Sequence, residues 1–368
     1  MNAKRPIVPR AAIAASLAVL AAAAWVAPRF PFNSPYEATA DRTIIPGCSE
    51  VQCFRVLVPW IVGLLPVASV LKWKAFAVAF DVLAGLAVFD LATTLGLSHR
   101  TATTALLLSV LGFGSMFEMW DPYNADPLMF YLGPLVIRWL LEGRYTAAAI
   151  VTCVTVLAKE FIVMAVATFA VWAVWTRNWR AARVAFGAAA VAFVLWSAFQ
   201  LFMMRRFGYS YSGFGTAETT RLLSGSFLVR WFSLMPTRAA LAALANEFGA
   251  VYILIPFGWL GAPRTLRQLS IASLPFVALL AYVEQPDRAL WNFHFLATPL
   301  AAIVLDDVPA PARWSFIVLY ALASARAGAQ ILFLPPVGWP LALSAGLAVF
   351  AVVLHRRGAT GRAFVSHT

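Results

Sequence analysis

Charge is scarce in this sequence: only 12% of its 368 residues are Asp, Glu, Lys or Arg, while 62% are hydrophobic. An ordinary soluble domain carries about 25% charged residues, so folding as a water-soluble globule is excluded as the default. Cysteine is scarcer still. Three cysteines cannot make a disulfide scaffold, and neither a Cys-x-x-Cys pair nor a Cys/His zinc spacing occurs. The four histidines, His99, His294, His355 and His367, lie far apart, which argues against His-rich metal or triad chemistry. Phosphate-cradling glycine motifs are missing as well. Gly112-Phe-Gly114 has Phe117 where a dinucleotide fingerprint needs glycine, and there is no Walker lysine, so the chain carries no signature of a nucleotide-driven engine. The formal net charge is +12, but the 28 Lys and Arg form no basic stripe interleaved with aromatics, so nucleic acid is not an expected partner.

What the chain has instead is apolar length. A spanning helix needs roughly 20 mostly apolar residues, and such stretches recur from Ala11 to Leu354. Only helices or closed barrels cross lipid, and strand-type alternation is absent. The expected fold is therefore all-α: a polytopic integral membrane protein of about twelve transmembrane helices, with residues 1–368 as one membrane domain. The first span, near 11–27, follows Lys4, Arg5 and Arg10; the same pattern also fits a cleavable signal peptide, and either way the next segment is exported. The remaining spans are expected near 74–95, 102–118, 127–141, 145–158, 161–175, 182–203, 248–263, 268–283, 289–305, 314–333 and 337–354.

Between the first two spans, residues 28–73 form the first extracytoplasmic loop. Its second part, Arg55 to Leu71, is apolar but holds Pro59, Gly63 and Pro66, which suits an interfacial or re-entrant piece rather than a span. If it did span, Arg177, Arg180, Arg183, Arg356, Arg357 and Arg362 would lie outside, against the positive-inside rule. Residues 205–247 form a second large extracytoplasmic loop, and both termini are cytoplasmic. A bacterial inner membrane is the expected location.

This orientation exports Glu37, Asp41, Glu50, Glu118, Asp121, Asp126, Glu160, Glu218, Glu247, Glu284 and Asp287, the majority of the 16 acidic residues. Acids do little to set topology, so their gathering on one side hints at polar work there. In the first loop, Asp41 with Glu37, Glu50 and Arg55 nearby offers a carboxylate beside cations, able to deprotonate a hydroxyl while holding a lipid phosphate. A solvated loop with a surface ion pair is the plainer alternative.

The exported turn Glu118-Met-Trp-Asp121-Pro-Tyr-Asn-Ala-Asp126-Pro packs three acids and two aromatics together. Asp126 before Pro127 also reads as a helix N-cap followed by an N1 proline. Lys159-Glu160 interrupts an apolar stretch, where ionisable residues are costly and mark function by default, unless they sit on a hairpin tip and reach the interface. Arg288 precedes the span holding Asn292 and His294; Arg288 could bind phosphate, while those two polar groups could simply satisfy each other. Cys48 and Cys53, in an exported and oxidising location, are expected to form a local disulfide bracing the loop.

Taken together, the cytoplasmic start, the large first exported loop with Asp41, the Pro-broken segment after it, the turn Leu157-Ala158-Lys159-Glu160 and Arg288 resemble the GT-C superfamily of polytopic glycosyltransferases. The resemblance implies a sugar donor linked to a polyprenyl phosphate and an acceptor on the extracytoplasmic face. It implies Asp41 as the catalytic acid or base, with Arg55, Asp121, Asp126, Lys159, Glu160 and Arg288 binding substrate. Trp120, Tyr123, Tyr209 and Tyr211 are candidate sugar platforms. No cofactor is required; a hard divalent ion on these carboxylates is the form any metal assistance would take. The alternative function is a transporter or flippase of an amphipathic or lipid-linked substrate, with Asp81 and Asp90 lining its path.

Overall fold

The computed structural model describes residues 9–31, 34–42, 44–210, 245–280 and 289–365, with the backbone alone for 279–280 and 358–365. Every regular element among the described residues is helical. Four helices are long and apolar enough to cross a membrane: Ser69–Thr94, the nearly continuous His99–Trp120, Trp179–Phe207 and Gly338–Arg357. A shorter helix lies in each of the other segments expected to span.

In chain order the helices begin with α1 (Arg10–Val26), α2 (Pro35–Arg42) and α3 (Leu57–Gly63). Then follow α4 (Ser69–Thr94), α5 (His99–Val110), α6 (Phe113–Trp120), α7 (Asp126–Leu141), α8 (Tyr145–Thr155), α9 (Ile162–Trp175) and α10 (Trp179–Phe207). After the second loop come α11 (Val251–Gly261), α12 (Arg264–Leu280), α13 (His294–Asp306), α14 (Ala310–Ala327) and α15 (Gly338–Val365). The segment Arg55 to Leu71 is broken as its prolines require: α3 is two turns long, and α4 starts only after Pro66.

Helix ends follow local chemistry. Ser98 caps α5 by accepting from the Thr101 N–H at 3.0 Å. The 29-residue α10 closes on Gly208, whose φ of +71° is a left-handed conformation that glycine adopts freely. Along α10, Phe186, Phe193, Val194, Leu201 and Phe202 stay exposed, so an apolar face runs the length of the helix toward what would be lipid.

α4 and α7 run in the same direction. Trp73 near the start of α4 packs on Tyr123 just before α7, and Asp90 near the end of α4 is paired with Arg138 near the end of α7. α5 and α6 return the chain between them. The bundle thus has two distinct ends. One gathers the starts of α4, α7 and α9 with α2 and α3. The other gathers Arg100, Arg138, Arg144 and Arg313, with Asp306 and Asp307 ending α13.

Candidate functional site

At the first of these ends, three separate connections meet. The turn between α8 and α9 brings Lys159 and Glu160. The turn between α6 and α7 brings Glu118, Asp121, Asn124 and Asp126. The first loop brings Tyr36 and Arg55. A backbone bond from the Leu57 N–H to the Leu157 carbonyl, 3.2 Å, stitches the loop to the α8–α9 turn. Gly63 is needed for the loop to lie down: a Cβ there would strike the Ala40 carbonyl of α2.

Two ion pairs define the site. Lys159 is paired with Asp126, both buried at 8% and 0% side-chain exposure. Neighbouring Glu160 receives Arg55 on both carboxylate oxygens, Nε donating to Oε2 at 3.1 Å and Nη2 to Oε1. This fork geometry is what arginine offers and lysine does not. Asn124 organises the acidic turn, donating from Nδ2 to Glu118 at 3.1 Å and accepting from the Asp126 N–H at 3.1 Å. Asp121 is buried beside them at the end of α6.

Burial disfavours the charged form of both members of the Arg55–Glu160 pair. The pairing outweighs that: Glu160 and the adjacent Tyr36 hydroxyl hold Arg55 above its ordinary range, and Arg55 holds Glu160 below the usual carboxylate range. Tyr36 is raised, chiefly by burial, even with Arg55 beside it, so it stays a neutral hydroxyl. Tyr123 is pushed up to about 12 by burial and by the Glu37 carboxylate to which it donates at 3.2 Å. Tyr36, Trp73 and Tyr123 form an aromatic wall along this end, with ring centroids 6.2 and 5.9 Å apart.

Of the residues expected from sequence, Arg55, Asp121, Asp126, Lys159 and Glu160 belong to this region. Asp41 is placed on the last turn of α2, 58% exposed, and accepts from Lys72 at 2.9 Å. Arg288 and Tyr211 lie outside the described residues. Cys48 and Cys53 are bonded as a disulfide. Tyr209 is no sugar platform: it is buried against Cys53 and Phe54, and its hydroxyl accepts from the Ile45 N–H at 3.1 Å. Trp120 is engaged edge-on with Phe30 at 5.0 Å.

Asp126 is not an N-cap either. It is the first residue of α7, Ala125 holds the cap position, and its carboxylate is turned to Lys159. Asn292 and His294 do not satisfy each other; they bond to the backbone carbonyls of Ala289 and Trp291 at 2.8 Å each.

Lys72, Asn124 and the Tyr36 hydroxyl take part without having been singled out. For Lys72 the available signal was a pair of lysines, Lys72 and Lys74, at the start of a long, mostly apolar helix. Asp81, within electrostatic reach of Asp126, is buried and accepts from Ser115 at 3.1 Å, while Asp90 is paired with Arg138 toward the other end. Among the described residues, no three His, Cys, Asp or Glu side chains group closely enough to hold a metal ion.

No family model matches the chain, and no curated protein does. Among solved structures, it is similar to the oligosaccharyltransferase of Archaeoglobus fulgidus tethered with an acceptor peptide, at 16% identity and TM-score 0.46 over 92% of this chain and 55% of that one. The apo form of that enzyme gives 15% identity and TM-score 0.46 over 92% and 56%. The archaeal oligosaccharyltransferase AglB from Archaeoglobus fulgidus, in complex with an inhibitory peptide and a dolichol-phosphate, gives 16% identity and TM-score 0.47 over 90% and 56%. The chain spans about half the length of these structures.

Proposed function

We propose that the chain is a polytopic membrane glycosyltransferase that works at the end carrying the two ion pairs, moving a sugar from a polyprenyl-phosphate donor to an acceptor hydroxyl on the extracytoplasmic face. In this reading the helices make about twelve crossings, the Arg-rich end is cytoplasmic, and Arg55 to Leu71 lies at the interface. The observation that carries it is the gathering of Lys159 and Arg55, each held by a carboxylate, on one platform built from three connections.

The acceptor oxygen bonds to the anomeric carbon as that carbon's bond to the phosphate oxygen breaks, and the electron pair leaves with the phosphate. Lys159 and Arg55, with Arg288, offset the charge that grows on that leaving group. The acceptor proton passes to Asp41, whose carboxylate accepts a hydrogen bond from Lys72. Asp121, Asp126 and Glu160 bind sugar or acceptor hydroxyls as the cations turn to phosphate. No step requires a metal.

The test is consumption of a polyprenyl-phosphate-linked sugar by the purified chain. Asp41→Asn is expected to lower turnover by about 10²- to 10⁴-fold, the usual contribution of a general base. Mutant turnover equal to the parent's removes Asp41 as the base. Absence of turnover in the parent, with any sugar donor of this class, removes the enzyme reading.

A further inference from the structure

At the Arg-rich end, α5 and α14 begin beside one another. Arg100, in the first turn of α5, donates from Nη2 to the Asp306 and Val308 carbonyls at 3.0 and 3.2 Å, just before Pro309, the N-cap residue of α14. Its Nε meets the Asp306 carboxylate at 2.9 Å. That carboxylate also accepts from Ser98 at 3.3 Å and Thr101 at 2.8 Å, so it is committed to α5. Asp307, next along, is committed to His355 at 2.6 Å.

Arg313, one turn into α14, is a second guanidinium within electrostatic reach of Arg100 and Asp306. It is 9% exposed, and its Nη1 has no hydrogen-bond partner. The corner therefore sets the guanidinium groups of Arg100 and Arg313 against the carboxylates of Asp306 and Asp307, with the Arg313 Nη1 still lacking an acceptor. A buried guanidinium nitrogen without an acceptor is costly. The start of α14 adds partial positive charge, because no side chain caps its first turn, in which Pro311 contributes no N–H. Beside Arg313, Trp314 is 48% exposed, as a tryptophan at a membrane interface would be.

We propose that this corner binds a phosphate group, with Arg313 as the buried donor, Arg100 as its exposed partner and the first turn of α14 completing the cradle. The exposed Trp314 points to the headgroup of an anionic phospholipid as the source, ahead of free phosphate. The site lies at the opposite end of the bundle from the ion-pair platform and does not rest on the reaction proposed there.

The experiment uses the full chain, delipidated in detergent. Phosphatidylglycerol, diacylglycerol with the same acyl chains, and inorganic phosphate are titrated separately. Binding is followed by native mass spectrometry and by thermal unfolding. Phosphatidylglycerol is expected to bind saturably and raise the unfolding temperature, diacylglycerol to do neither, and Arg313→Gln to weaken phosphatidylglycerol at least tenfold. Saturable protection by inorganic phosphate, lost in Arg313→Gln, keeps the phosphate site and makes free phosphate its source. If Arg313→Gln does not fold, Arg313→Lys and Trp314→Ala serve in its place, each expected to weaken phosphatidylglycerol several-fold. Undiminished phosphatidylglycerol binding by the Arg313 variant, or equal binding of diacylglycerol, overturns the proposal.

Discussion

Among the described residues, only one end of the bundle holds an ion pair almost wholly out of water. At the Arg-rich end, pairs such as Arg100–Asp306 and Arg138–Glu142 remain 26 to 51% exposed. Exposed pairs of this kind contribute about 0–1 kcal/mol each. At the other end, Lys159–Asp126 is taken almost wholly out of water, while Arg55–Glu160 is 15 and 30% exposed and Lys72–Asp41 7 and 58%. Desolvating two charges is expensive enough that a well-packed apolar substitute is often no less stable. The exposed pairs contribute little either way, whereas Lys159–Asp126 occupies a position where stability alone gives little reason to keep an ion pair.

The sharpest way to break this contrast is to remove one member of the buried pair. Lys159→Met removes the buried cation that faces the Asp126 carboxylate, and a loss of about 3–5 kcal/mol is expected in thermal or denaturant unfolding. Lys159→Met combined with Asp126→Leu is expected to recover most of it. A single variant that loses under about 1 kcal/mol would place this pair with the exposed ones.

Next in size is Arg55→Lys, which keeps the charge but gives up the fork to Glu160. A loss of about 1.5–3 kcal/mol, the range for a hydrogen bond to a charged group, is expected in the same unfolding assay.

pH probes the same pair more gently. The folded state holds Glu160 below its ordinary 4.5, so its stabilising contribution is fully present above that value and is lost as pH falls through the lowered one. Glu160→Gln is expected to flatten that part of the acid-unfolding profile, and an unchanged acid limb in the variant would contradict the assignment. Smallest of all should be Glu142→Gln at the Arg-rich end, with a change within about 1 kcal/mol that shrinks further in high salt.

Much of the frame was legible because it follows from local pattern. Apolar runs mark the helices from α4 to α15, and the prolines at 59 and 66 announce the broken segment around α3. Lys159-Glu160 stands out because two ionisable residues interrupt such a run. Their partners were not legible. Nothing local ties Glu160 to Arg55, which is 105 positions away, or Lys159 to Asp126, 33 positions away. Those matches are made by the packing of α7 and α9 and by the way the first loop lies over them. The N-cap reading of Asp126 failed for the same reason. Asp-Pro is a sound local signal for a cap, but a buried lysine offered the carboxylate more than a backbone N–H did.

The span of 105 residues between Arg55 and Glu160 carries a consequence for assembly. Chains fold broadly in the order they are made, and contacts distant in sequence close late. Arg55 leaves the ribosome before α3 to α8 are made, and it waits through their synthesis before its carboxylate exists. The site therefore matures in one event, when the α8–α9 turn arrives. A chain stopped short of Lys159 would hold most of the scaffold of this end and neither ion pair.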